Sequence, residues 1–239
     1  MKSLLPILLL LAACATGARV EPVAPDAYVA VVADPVRTER DRGMDARRHP
    51  VELLQFAQVR PGMQVLDIVA GGGYTSQLLA LAVAPGGKVW AQSATPNATL
   101  KERLEKQQPT LALAQRPIDD PVPPDAPPLD LVTLILNYHD ISYLPFDRDA
   151  MNRRIFAALK PGGRYVVVDH SATAGTGIAA GKTLHRIEEA FVVAEVKRAG
   201  FVLDAEGGFM RNPQDPRTGS SNDPTPLSDR FVLRFVKPG

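Results

Sequence analysis

The chain of 239 residues contains one cysteine, Cys14, so no internal disulfide can form. If that thiol is modified, the remainder has no cysteine nucleophile and no thiolate metal site. Charge of either sign is not in excess. Lys and Arg number 27 against 26 Asp and Glu, a net charge of +1, which gives no electrostatic case for a nucleic-acid partner or an acidic surface. The N-terminal apolar run, Leu4 to Leu11, is too short to span a bilayer. The distances between turns are unequal, which excludes a repeat array. What remains has ordinary globular composition, 45% hydrophobic, at a length suited to one sizeable domain. Its 22 prolines fall in loops and in the stretch from Pro117 to Pro128.

Three Pro-Gly turns punctuate the domain, at Pro61-Gly62, Pro85-Gly86 and Pro161-Gly162. Each follows an amphipathic segment and precedes an apolar run, the pattern of helix end, turn and strand. Strands are expected at Gln64–Asp67, Lys88–Gln92, Leu111–Gln115, Leu129–Leu136, Arg164–Asp169, Phe201–Asp204 and Phe231–Val236. Helices are expected at Pro50–Ala57, Thr99–Gln107, Asp149–Leu159 and Glu188–Ala199, with Gly200 as a stop. The run Leu129 to Leu136 is nearly all apolar, as a strand buried on both faces must be. Alternation of strands and helices specifies an α/β fold with helices on both faces of a mostly parallel sheet. Arg211 to Ser228 is polar and reads as a long loop.

One stretch stands out. Val65-Leu66-Asp67-Ile68-Val69-Ala70-Gly71-Gly72-Gly73 passes from an apolar strand through an acid into a glycine turn, and a helical pattern follows from Gln77. Glycine lets a ligand approach the backbone, and the helix start offers free N–H groups. This stretch resembles the first motif of the class I S-adenosylmethionine-dependent methyltransferases, V-L-D-x-G-x-G-x-G, with Val69 in place of the first glycine. The phrases at Ala158–His170 and Lys197–Phe201 are similar to that family's fifth strand and late helix. N-Y-H-D at 137–140, D-H at 169–170, T-L-H-R-I at 183–187 and R-N-P-x-D at 211–215 resemble a bacterial branch of predicted methyltransferases. The resemblance covers roughly Pro50 to Lys237. It implies a Rossmann-like sheet of seven strands, an S-adenosylmethionine cofactor and a small-molecule substrate. Asp67, Gly71, Gly72 and Gly73 would hold the cofactor's methionine part, with Asn137 beside it. Asp119 would face the adenine amino group, and Tyr138 would pack on the adenine or cap the sheet. The family's acid after the second strand, which takes the ribose hydroxyls, is missing; Gln92 and Ser93 stand there.

The first fourteen residues have the shape of a secretory signal, and Leu11-Ala12-Ala13-Cys14 resembles the bacterial lipobox. The expected organisation is a lipoprotein signal peptide at 1–13, a tether and lead-in at 14–45 and a methyltransferase-like domain at 46–239. The expected location is the cell envelope, facing the periplasm, with Cys14 lipid-anchored in the membrane.

In an open parallel sheet, ligands sit outside the carboxyl ends of the strands. Three of the four histidines fall there: His139, His170 and His185. Beside them in sequence stand Asp140, Asp169 and Arg186. His139, Asp140, His170 and His185 are the candidate catalytic residues, with a histidine taking the proton of the nucleophile. His49 stands apart and reads as surface. Two alternatives stay open: zinc or another divalent metal held by the edge histidines, and a non-catalytic envelope lipoprotein that keeps the fold.

Overall fold

The computed structural model describes residues 23–223 and 225–239; the expected signal peptide and Cys14 lie outside them. Seven strands form one sheet: β1 (Gln64–Ile68), β2 (Lys88–Gln92), β3 (Leu111–Ala114), β4 (Leu129–Ile135), β5 (Leu159–His170), β6 (Val202–Gly207) and β7 (Arg230–Val236). Their order is β3-β2-β1-β4-β5-β7-β6. The first five run parallel, and β7 is antiparallel to both β5 and β6. The order reverses direction between β1 and β4, where a crevice opens at the strand ends.

Alternation along the strands divides the interior in two. Val65, Val89, Leu131 and Val166 face one core, while Leu66, Trp90, Val132 and Val167 face the other. The first core is covered by α1 (Pro25–Ala33), α3 (Pro50–Ala57), α4 (Tyr74–Val83) and α5 (Ala98–Lys106), through Tyr28, Leu54, Leu78 and Leu100. The second is covered by α7 (Arg148–Ala158) and α9 (Glu189–Arg198), through Met151, Ile155, Val192 and Val196. Single turns α6 (Tyr138–Ile141) and α8 (Gly181–Leu184) follow β4 and β5.

Two expectations need correction. The stretch from Tyr28 to Asp45 is no tether. It folds as α1 and as α2 (Glu39–Arg48), and Tyr28 is buried with its hydroxyl donating to Val59 O at 2.8 Å. α2 has no apolar stripe, which is why periodicity misses it. A capping box between Thr38 and Asp41 starts it. Ion pairs anchor it: Arg37 to Asp45 at 2.5 Å and Arg103 to Asp41 at 2.6 Å. The turn at Pro161-Gly162 is also not separate. β4 pairs with β5 at Leu159 and again from Arg164, so the intervening residues bulge out of one long strand.

Candidate active site

β1 ends at Ile68 and the chain turns at once. Val69 sits at φ 53°, a left-handed conformation costly for a β-branched residue. Gln92 holds it there. Its Oε1 accepts from Val69 N–H at 2.8 Å, its backbone oxygen accepts from Ala70 N–H at 2.9 Å, and its Nε2 donates to Arg116 O at 2.7 Å. Gln92 is thus a buried brace, with no carboxamide left for a ribose.

The three glycines differ in what they do. Gly71, at φ 57°, has nothing nearer than Val69 O at 4.0 Å where a Cβ would stand, so its face opens on a cavity. Gly73, at φ 80°, would put a Cβ 2.9 Å from Leu100 Cδ1, so it serves the packing of α5 rather than a ligand. Gly72 accepts from Arg103 Nε–H at 2.8 Å. Asp67 is buried and accepts from Ser76 Oγ at 2.5 Å and Thr133 Oγ1 at 2.7 Å. Burial pushes its pKa up to about 6 against the pull of those hydroxyls. It ties β1 to α4 and β4.

The cavity over this loop measures about 390 Å³, within the size range of small-molecule sites. Asp67, Gly71, Gly72 and Asn137 line it, as do Asn97 and Thr99 at the start of α5 and Arg40, Met44 and Arg48 of α2. Besides Gly73, three more sequence candidates lie elsewhere. Tyr138 is wholly buried in the second core, donating to Glu195 Oε2 at 2.8 Å and accepting from Asn152 Nδ2 at 2.9 Å, so it does not face an adenine. Ser93 and Asp119 do not line the cavity. Ser93 continues the β2–β3 ladder through its N–H to Ala114 O, and the Asp119 carbonyl accepts from Arg154.

A second cavity of about 420 Å³ adjoins the first, sharing Met44, Arg48 and Leu136 as walls. His139, His170, His185 and Asp140 all line it. The ring centroid of His139 lies 5.7 Å from that of His170 and 5.5 Å from that of His185. The glycines of the 171–181 loop, with Gly175 and Gly177 at positive φ, allow the return that brings His185 back.

The imidazoles are electrically unlike. His139 Nδ1 meets the buried Asp169 carboxylate at 2.6 Å, and its backbone N–H donates to the other oxygen at 2.7 Å. Burial pulls the His139 pKa down, but Asp169 and then Asp140 outweigh it and raise it. Its Nε2 is left for the cleft, 3.3 Å from Asp140 Oδ1. His170 is the opposite. Burial first, then Arg230, His139, Arg186 and Arg47, push its pKa down to about 2. Its Nδ1 meets Ser228 Oγ at 2.7 Å and Arg230 Nε–H at 3.4 Å; a guanidinium can only donate, so Nδ1 accepts and the neutral ring presents Nε2–H. His170 is a donor and not a base. Asp169 is the partner that sequence order left in the background: the D-H pair in β5 splits, with its acid serving His139. Arg186 is spent on structure, since it grips Asp215 at 2.7 Å and pins the loop between β6 and β7.

His139, Asp140 and His185 each have a ligand atom within 4.8 Å of the others', with Asp140 Oδ1 3.3 Å from His139 Nε2 and 3.4 Å from His185 Nδ1, a spacing that can hold a metal ion. The metal-capable trio therefore contains Asp140 in place of the expected His170. A larger cavity, about 620 Å³, lies beside α9 and shares no lining residue with these two.

No family model matches the chain. Among curated proteins it is similar to the ubiquinone/menaquinone biosynthesis C-methyltransferase UbiE of Burkholderia orbicola, at 31% identity over 118 residues, 48% of this chain and 46% of the relative. The chain spans less than half the length of the curated relatives it matches first. Among solved structures it is similar to an S-adenosylmethionine-dependent methyltransferase from Aquifex aeolicus. The TM-score is 0.62 at 15% identity, over 90% of this chain and 99% of that one. It is also similar to the Burkholderia thailandensis 1,6-didemethyltoxoflavin-N1-methyltransferase, solved with 1,6-didemethyltoxoflavin and S-adenosylhomocysteine bound. There the TM-score is 0.58 at 19% identity, over 92% and 93% of the two chains. The fold is that of the S-adenosylmethionine-dependent methyltransferases.

Proposed function

We propose that the chain transfers a methyl group from S-adenosylmethionine to a small-molecule nucleophile. One observation carries this reading: the cavity over the glycine loop shares a wall with a cleft into which an Asp169-oriented histidine presents Nε2. The residues fit the cofactor. Gly71 leaves the space of a side chain open, and Asn97, Thr99 and Asn137 offer hydrogen-bonding groups around the same cavity. The bound cofactor supplies an activated methyl group. The protein brings the nucleophile to it, and proximity provides much of the rate. His139 Nε2 takes the proton the nucleophile loses, and Asp169 stabilises the imidazolium that results. His170 donates Nε2–H to the acceptor, and α2 covers both cavities. Incubation with methyl-labelled cofactor and a panel of small hydroxy, amino and thiol compounds tests the reading. Labelled product that disappears in His139→Gln supports it; none from any class counts against it.

A second reading rests on the spacing of His139, Asp140 and His185. Ligands 2.0–2.1 Å from a tetrahedral ion lie about 3.3 Å apart, and Asp140 Oδ1 stands 3.3 and 3.4 Å from its two imidazole neighbours. The Asp169–His139 contact is also how a metal-bound imidazole is usually oriented. Metal analysis of protein purified without chelators separates the readings: one equivalent of zinc makes His139 a ligand in place of a base.

The proposal extends to location. The apolar run ending in Leu11-Ala12-Ala13-Cys14 supports export and lipid anchoring at Cys14. Membrane fractionation of wild type and Cys14→Ser tests this, the variant being expected in the soluble fraction. Among the described residues no helix is long and apolar enough to cross a membrane.

A further inference from the structure

Four arginines among the described residues are buried: Arg37, Arg103, Arg186 and Arg230. Three have a carboxylate at hand, Asp45 at 2.5 Å, Asp41 at 2.6 Å and Asp215 at 2.7 Å. Arg230 has none. It is 5% exposed, its Nη1 donates to the backbone oxygen of Arg47, and its Nε stands 3.4 Å from His170 Nδ1. No described residue accepts from its Nη2. A guanidinium cannot give up its proton at neutral pH, so a buried one without an anion is costly and calls for a partner.

Arg230 lines the histidine cleft, and so do Arg47 and Arg48 of α2. Neither of these forms an ion pair with a described acid; Arg48 stacks on the Tyr74 ring with its guanidinium 5.0 Å from the centroid. The three cations repel one another: burial first, then Arg47 and Arg48, lower the Arg230 pKa to about 10 against the weaker opposing pull of Asp169, which leaves it charged. Asp140, with His139 and His185 beside it, lines the same cleft. The cleft therefore combines three cations with His139, the base of the reaction proposed above.

We propose that the wall formed by Arg47, Arg48 and Arg230 binds the oxyanionic head group, carboxylate or phosphate, of the methyl-accepting substrate. The inference rests on the reading of this cleft as the acceptor site, and it narrows that site's substrate class. A guanidinium fork pairs with two oxygens of such a group at once. The acceptor is then a small acid whose nucleophilic atom lies across the cleft, beside His139. Its head group replaces the anion that Arg230 lacks.

The test is calorimetric titration of the full chain with inorganic phosphate and, separately, with benzoate, with and without saturating S-adenosylhomocysteine. Saturable binding of either probe is expected, and the tighter of the two identifies the head group. Arg47→Gln, on the exposed rim, and Arg230→Lys, which keeps the charge but not the fork, should each weaken it about tenfold or more. Lys101→Gln, on the outer face of α5, should leave it unchanged. Binding should persist when S-adenosylhomocysteine is present. Absence of saturable binding, equal binding in all variants, or displacement by S-adenosylhomocysteine would overturn the proposal, the last by assigning the arginines to the cofactor's own carboxylate. If S-adenosylhomocysteine itself fails to bind, the cofactor reading fails while the anion titration still decides this one.

Discussion

Val69 is the residue where sequence and geometry conflict most. Its neighbours hold a β-branched side chain in a conformation suited to glycine. Strain of this kind costs about 1–3 kcal/mol. Val69→Gly should therefore stabilise the fold, by at most about 1 kcal/mol once the added freedom of the unfolded chain and the lost packing of Val69 on the second core are subtracted. Urea unfolding reads this directly, and an unchanged or lower midpoint contradicts the strain. His170 gives a pH test. Its folded pKa, about 2, lies below the unfolded value near 6.5. The stability it contributes is complete above about pH 6.5 and is lost as pH falls from there toward the folded value. His170→Gln should accordingly lose less stability than wild type between pH 7.5 and 5.0, by about 1–2 kcal/mol. Equal losses in the two proteins would show that the ring is not held neutral. The motif residues were legible in sequence, but their division of labour was not. Only the folded chain separates Gly71, which opens on a cavity, from Gly73, which packs on Leu100, and brings Asp169 to His139.

α2 shows why an element can be invisible to periodicity and still matter. The segment ERDRGMDARR carries a single large apolar residue, Met44, and is held by its cap and its ion pairs. The signal that could have revealed it is T-E-R-D, a Thr followed three residues later by an acid. It supplies Met44, Arg47 and Arg48 to the cleft, so an element read as linker forms part of the site. Asp41→Ala leaves the Arg103 guanidinium buried without its acid and should cost about 3–5 kcal/mol. Asp41→Ala with Arg103→Met should recover much of that loss, because no unpaired charge remains. Chemical denaturation of the single and double variants checks both, and a mild effect of Asp41→Ala would place α2 outside the cooperative fold. The strands were easier. Near-continuous apolar runs and Pro-Gly punctuation locate all seven, and the error at Pro161-Gly162 arose because a bulge and a turn use the same residues.

At the scale of the whole molecule, the sheet order brings side chains from widely separated parts of the chain to one edge. β1 supplies the glycine loop, β4 supplies Asn137 and His139, and β5 supplies Asp169 and His170. α2 and the loop before β7 close over them. Topology explains why the histidines were found from sequence, since parallel strands deliver their carboxyl ends to one crevice. It also explains why the arginine wall was missed. Arg47 and Arg230 are 183 residues apart, and neither belongs to a motif. The cavity over Gly71 is the proposed seat of S-adenosylmethionine. Calorimetry of the full chain with S-adenosylhomocysteine tests it most directly, with Gly71→Val as the paired variant. Val69 already shows that this loop tolerates a β-branched residue in the left-handed region, so the variant should fold. Its side chain would occupy the space open to the ligand. Saturable one-to-one binding is expected in wild type, with a loss of about a hundredfold or more in Gly71→Val. No binding to folded wild-type protein, or the same affinity in both, would contradict it.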